Sequence, residues 1–98
     1  MPTHDETDQF RRDYGSLGPE ERAAFRKAVQ KFIADLRAGG QFRTSLRVMS
    51  MRGARGVCEL TWEGEDGRAT FEYGEEQVKG ETHVIWRRVG RHEIYKRP

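Results

Sequence analysis

The hydrophobic period of this chain changes once, at Gly39-Gly40. Before these glycines apolar residues recur every three to four positions; after them they alternate. A 3.6-residue period lays a stripe along one face of a helix, and a two-residue period lines one face of a strand. Helices followed by strands, with no return to the first period, point to an α+β domain. Helices then pack on one face of an antiparallel sheet, leaving the other face to solvent or to function. The 98 residues leave room for one such domain.

Within the first half, Phe10, Tyr14 and Leu17 fall at helical spacing, predicting a short helix over residues 8–17. Gly18-Pro19-Glu20-Glu21 reads as the start of a second helix, with proline at the first position and carboxylates where the helix dipole favours them. Its stripe is Phe25, Ala28, Val29, Phe32, Ile33 and Leu36, and it runs to about Ala38. Four strands are predicted beyond the glycines. One carries Leu46 and Val48, one Cys58, Leu60 and Trp62, one Ala69, Phe71 and Tyr73, and the last spans residues 83–89. The second and third form a hairpin around residues 63–67. The core is predicted to combine the helix stripes with the Cys58/Leu60/Trp62 and Ala69/Phe71/Tyr73 faces. Glu59, Thr61, Arg68, Thr70 and Glu72 then share the opposite, open face. Residues 1–7 read as a disordered tail and residues 8–98 as the domain.

Charge divides classes of function. The net charge is only +2, but it is segregated. Arg43, Arg47, Arg52 and Arg55 occur in a stretch without acids. Residues 59–82 hold eight acids against Arg68 and Lys79, and residues 83–98 hold five cations against Glu93. Such runs are either solvated faces or, where basic strands meet, an anion-binding surface. Arginine, which dominates here, suits bidentate phosphate contact. No apolar run is long enough to span a membrane, and the polar start is unlike a signal peptide. Cys58 is the lone cysteine, most simply a small buried hydrophobe, and no Cys/His spacing suggests a metal site. A cytoplasmic protein without metal or other cofactor is expected.

The most specific stretch is Trp86-Arg87-Arg88-Val89-Gly90-Arg91-His92-Glu93-Ile94-Tyr95. It follows Gly56-Val57-Cys58-Glu59-Leu60-Thr61-Trp62 and Gly67-Arg68-Ala69-Thr70-Phe71-Glu72-Tyr73. In this order, and with Thr7-Asp8-Gln9-Phe10-Arg11-Arg12-Asp13-Tyr14 before them, these segments resemble the RelE/ParE superfamily of bacterial toxin–antitoxin toxins. The resemblance implies a helix hairpin on a four-stranded antiparallel sheet. The family's usual first strand has no apolar counterpart in residues 1–7, so the sheet is expected to lack it.

Many members of that superfamily cleave mRNA on the ribosome without a metal, and the resemblance implies roles for particular residues. His92 would be the general acid, Arg88 and Arg68 would hold the scissile phosphate, and Glu59 would be the base. Tyr95 would orient the RNA or stack on a base. Arg91, Arg87, Arg47, Arg52 and Arg55 would add RNA contacts. The implied partners are mRNA, the ribosome and a cognate antitoxin. A second reading is a non-catalytic module binding an antitoxin or a gyrase-type protein. On the residues alone, Glu59 and Arg68 can equally be a cross-strand pair. Tyr95 can cap the core, and Trp62 and Trp86 read as core. The parity of the last strand stays open. If Trp86 faces the core, strict alternation buries Arg88; if Ile85 and Val89 face it, Arg88 joins Glu59 and Arg68.

Overall fold

The structure is a computed structural model that describes residues 2–63 and 66–98, with only the backbone of Glu63. Helix α1 (Asp8–Ser16) begins at Thr7, whose hydroxyl accepts the Phe10 N–H at 3.0 Å. Helix α2 (Pro19–Arg37) begins at Gly18, whose N–H is taken by the Glu21 carboxylate at 3.0 Å. Both helices lie within one residue of their predicted ends. Arg22 closes the hairpin by donating to the Tyr14 and Gly15 carbonyls at 3.1 and 2.8 Å. Those carbonyls belong to the last turn of α1, where the helix itself supplies no donors.

Helix α2 stops because Gly39 and Gly40 take positive φ values of 122° and 84°. The exit is then fixed by Asp35, which accepts from the Arg43 N–H, Nε and Nη2 at 2.9, 2.8 and 2.7 Å. Those hydrogen bonds hold the Asp35 carboxyl at about 2, below its ordinary 3.8. A carboxyl with a depressed folded-state pKa stabilises the fold above its ordinary pKa and loses that contribution as pH falls through the folded value. Asp35→Asn is therefore expected to lower the melting temperature near neutrality, with the gap from wild type closing between about pH 4 and pH 2. A gap that stays constant across that range in thermal melts would refute this role.

Five strands form one mixed sheet in the order β1-β5-β4-β3-β2. They are β1 (Thr3–Glu6), β2 (Met49–Ser50), β3 (Cys58–Glu63), β4 (Gly67–Gly74) and β5 (His83–Gly90). Both helices pack on one face. Phe10, Phe25, Phe32, Leu60, Trp62, Phe71 and Trp86 are all buried in one cluster with Ala69, Val84 and Val89. The hairpin of β3 and β4 is antiparallel as expected, although Gly64 and Glu65 of its turn lie outside the described residues.

Three expectations are corrected. First, the sheet has five strands and is mixed, because residues 3–6 form β1 rather than a tail, pairing parallel with β5. An edge strand pairs on one side only, so backbone hydrogen bonds can hold it without apolar side chains. Buried His83 adds contacts from Nδ1 to the Thr3 hydroxyl at 2.7 Å and from Nε2 to Asp5 at 3.4 Å. Second, the strand expected around Leu46 and Val48 is largely a 3-10 turn (Thr44–Leu46), followed by Arg47 in the left-handed region at φ 46°. Leu46 is still buried, so the apolar position was real and the period was not. Third, Tyr73 is 47% exposed rather than core.

The parity question has an answer that strict alternation did not allow. Thr70 pairs with Arg88 and Phe71 pairs with Trp86, so Arg87 is an extra residue in β5. This β-bulge shifts the alternation by one. Trp86 and Val89 both point into the core, while Arg88 lies opposite Thr70 on the second face of the sheet.

Candidate functional site

The second face carries two rows of residues across β3, β4 and β5. Glu59 pairs with Thr70 and Thr70 with Arg88; Thr61 pairs with Arg68 and Arg68 with Gly90. Neighbouring strands lie about 4.8 Å apart, so each row spans about 10 Å across the three strands. The face is not bare. Beyond β5 the chain turns into a 3-10 helix (His92–Lys96) and returns across it. Gly90 permits this close return: a Cβ there would come within 3.0 Å of the Glu93 carboxylate and of Ile94. Thr61, Arg68 and Thr70 are consequently buried.

Tyr95 enters the face from this returning segment. Its hydroxyl is buried and makes no hydrogen bond of ordinary geometry, yet Glu59 and Arg68 both act on it. Burial, then the Glu59 charge, push the phenol up, and Arg68 pulls the other way. Tyr95 also meets the edge of the His92 ring, with centroids 5.7 Å apart. Glu59, Arg68, Tyr95 and His92 thus form one continuous cluster. His92 Nδ1 lies 2.6 Å from Asp66 Oδ1, and the His92 N–H reaches the same oxygen at 3.4 Å.

Arg88 reaches the face by another route. Its Nε and Nη2 donate to Asp13 of α1 at 2.6 and 3.2 Å, and its Nη1 donates to the Arg97 carbonyl at 3.0 Å. Asp13 also accepts the Val89 N–H at 3.2 Å, sealing the free edge of β5 beyond β1. Arg87 pairs with Glu72 at 2.9 Å and donates to the Pro98 carbonyl at 3.0 Å. Next to them Arg55, Arg87, Arg88 and Arg97 line a cavity of about 590 Å³.

The remaining arginines go elsewhere. Arg91 turns to the helix side, pairing with Glu21 at 2.7 Å and lying 5.1 Å over the Trp62 ring. The Gly18 N–H and then Arg91 hold the Glu21 carboxyl below its ordinary range. Arg47 sits beside Lys27 and Lys31 of α2, and Arg52 is exposed in the β2–β3 loop. Of the five arginines expected to add RNA contacts, Arg55 and Arg87 border the second face. Trp62 and Trp86 are core, as read, with Trp62 Nε1 donating to the Arg68 carbonyl at 2.8 Å. Cys58 is half-buried, and burial pushes its thiol up.

Three acids of the acidic stretch stand away from the cluster, while Glu59 and Asp66 belong to it. Glu75, Glu76 and Glu81 lie in the β4–β5 connection, at the end of the sheet opposite Gly67 and Gly90. Sequence reading missed Asp13, Asp66 and the Arg97-Pro98 carbonyls. Asp13 is separated from Arg88 by 75 residues, and no local pattern marks it. Asp66 was visible only as the turn former before Gly67.

No protein-family model matches the sequence, and no curated protein matches it. Solved structures do. YafQ from E. coli aligns with a TM-score of 0.64 and 10% identity, over 97% of this chain and 98% of that one. The E. coli DinJ-YafQ toxin-antitoxin complex aligns with a TM-score of 0.64 and 12% identity, over 94% and 93%. The RelB-RelE antitoxin-toxin complex from Methanococcus jannaschii aligns with a TM-score of 0.56 and 18% identity, over 94% and 95%. At these identities the shared property is the three-dimensional arrangement, and it extends over nearly the whole of both chains. The chain has the RelE/ParE-like fold of toxin–antitoxin toxins.

Proposed function

We propose that this chain is the toxin of a toxin–antitoxin system and an endoribonuclease that cleaves ribosome-bound mRNA through side chains alone. The observation that carries the reading is the convergence of Glu59, Arg68, Tyr95 and His92 on the second face of the sheet. Glu59 takes the proton from a ribose 2′-OH as that oxygen attacks the adjacent phosphorus. Arg68, with Arg88 in the next row, stabilises the charge gathered on the phosphorane oxygens. His92 donates a proton to the departing 5′-oxygen. The products are a 2′,3′-cyclic phosphate and a free 5′-OH. Tyr95 sets the position of the sugar or base beside Glu59. Arg55 and Arg87 contact flanking phosphates.

An antitoxin partner is part of the same reading. DinJ-YafQ and RelB-RelE are both complexes with antitoxins. On the helix side, Phe10, Tyr14, Val29, Ile33, Leu36 and Trp86 line a largely apolar groove of about 450 Å³ that suits a partner's apolar segment. Among the described residues no helix is long and apolar enough to cross a membrane.

The test adds the purified chain to mRNA with and without translating ribosomes and maps new 5′ ends by primer extension. Cleavage that requires ribosomes and leaves 5′-OH ends supports the reading. Intact mRNA in both reactions, with a partner protein still captured from cell extract, would replace it with the non-catalytic module.

A further inference from the structure

We infer that Asp66 is the positioning residue for His92, holding its imidazole so that Nε2 is the nitrogen presented to the RNA. The inference rests on His92 being the general acid of the proposed reaction and adds the group that makes it one. Asp66 stands at the foot of β4, where the β3–β4 turn ends. One carboxylate oxygen, Oδ1, faces both the ring Nδ1 at 2.6 Å and the backbone N–H of His92 at 3.4 Å. Contact with ring and backbone at once fixes the ring relative to its own chain. Tyr95 closes a second side at 85° to the ring plane. Among the described residues Nε2 has no hydrogen-bond partner, which leaves it for a ligand.

The chemistry follows from the donor table. A carboxylate only accepts, so Nδ1 must carry its hydrogen. The neutral ring is then the Nδ1–H tautomer, and the protonated ring offers its second proton from Nε2. A general acid needs that proton directed at the leaving oxygen. The Asp66 carboxyl is held below its ordinary range, first by its hydrogen bond with His92, so it is ionised where histidine titrates. The other charged and titratable groups around the ring are Arg91, whose Nε lies 3.9 Å from Asp66 Oδ2, and Glu93, which accepts the Arg91 N–H at 3.2 Å. Tyr95 is on the same 3-10 helix, and Glu21 of α2 reaches the group through Arg91.

The experiment reads the ring itself. Nitrogen-15 shifts of His92 are recorded with the ring neutral, in wild type, Asp66→Ala and Asp66→Asn. The wild type is expected to show the Nδ1–H tautomer. Asp66→Ala is expected to move the majority of the ring to Nε2–H, the form favoured by free histidine side chains. Asp66→Asn, which keeps an accepting oxygen, is expected to retain Nδ1–H. Single-turnover cleavage by Asp66→Ala is expected to fall about 10- to 100-fold at unchanged KM. An unchanged tautomer in Asp66→Ala would overturn the inference, as would a switched tautomer with undiminished cleavage. A tautomer switch in a chain whose wild type cleaves nothing would overturn the ribonuclease reading while leaving the Asp66 contact as the determinant of the ring.

Discussion

Phe32→Ala is expected to destabilise the domain by about 3–5 kcal/mol, the range for emptying a buried aromatic site. Phe32 is 1% exposed and touches three other rings. It stacks on Phe42 with centroids 4.9 Å apart and meets Phe71 and Trp86 edge-on at 5.0 and 5.5 Å. It therefore joins α2 to β4, to β5 and to the segment that leaves the glycine stop. Two of those rings belong to the central pair of strands, so the cavity cannot be closed by moving one loop. Domains of this kind are stable by only about 5–15 kcal/mol, so a loss of this size consumes much of the margin. Urea denaturation of wild type, Phe32→Ala and Phe32→Leu tests it, with leucine expected to recover at least half of the loss. A change below about 1 kcal/mol for alanine would mean that Phe32 does not join the layers.

His92→Gln is expected to do the reverse: to abolish chemistry and spare the fold. Removing a general acid costs about 10²–10⁴ in rate. The His92 side chain is 58% exposed and its contact with Asp66 lies in water, so the variant should unfold within about 0.5 kcal/mol of wild type. Cleavage on translating ribosomes and urea melts of the same preparation read the two quantities side by side. If His92→Gln cleaves within threefold of wild type, the proton comes from another group and Tyr95 is the next to replace. Equal losses of activity and stability would place His92 among the structural residues.

What could be read from the sequence follows from how local each signal was. The helices were legible because Pro19, Gly39 and Gly40 punctuate them and their stripes span several turns. The β3–β4 hairpin was legible because both strands alternate around one polar turn. Glu59 and Arg68 could be placed on one face by parity alone. Strand β1 was not legible, because its pairing partner lies 80 residues away and its side chains are Thr, His, Asp and Glu. The stretch from Phe42 to Val48 misled because two alternating apolar residues satisfy a strand pattern as well as a turn does. Asp13 and Asp66 acquire meaning only when α1 meets the edge of β5 and the β3–β4 turn meets the chain beyond it. Segment charge showed where cations were abundant, but Arg91 and Arg47 were claimed by the helix layer.

The extra residue in β5 separates two demands that a regular strand would bind together. Without it, every side chain from Val84 to Gly90 answers to one choice of face, and a tryptophan in the core dictates what stands two places on. With it, the strand consists of two halves with independent phase. The half through Trp86 answers to packing against the helices. In the half from Arg88, Val89 still packs in the core while Arg88 faces whatever approaches the other side. A substitution at Arg88 can therefore retune the second face while Trp86 and Val89 keep their places in the core. Were the same residues paired without the bulge, Arg88 and Val89 would exchange places, burying a guanidinium and exposing a valine; deleting residue 87 would instead remove the bulge and leave both on their present faces.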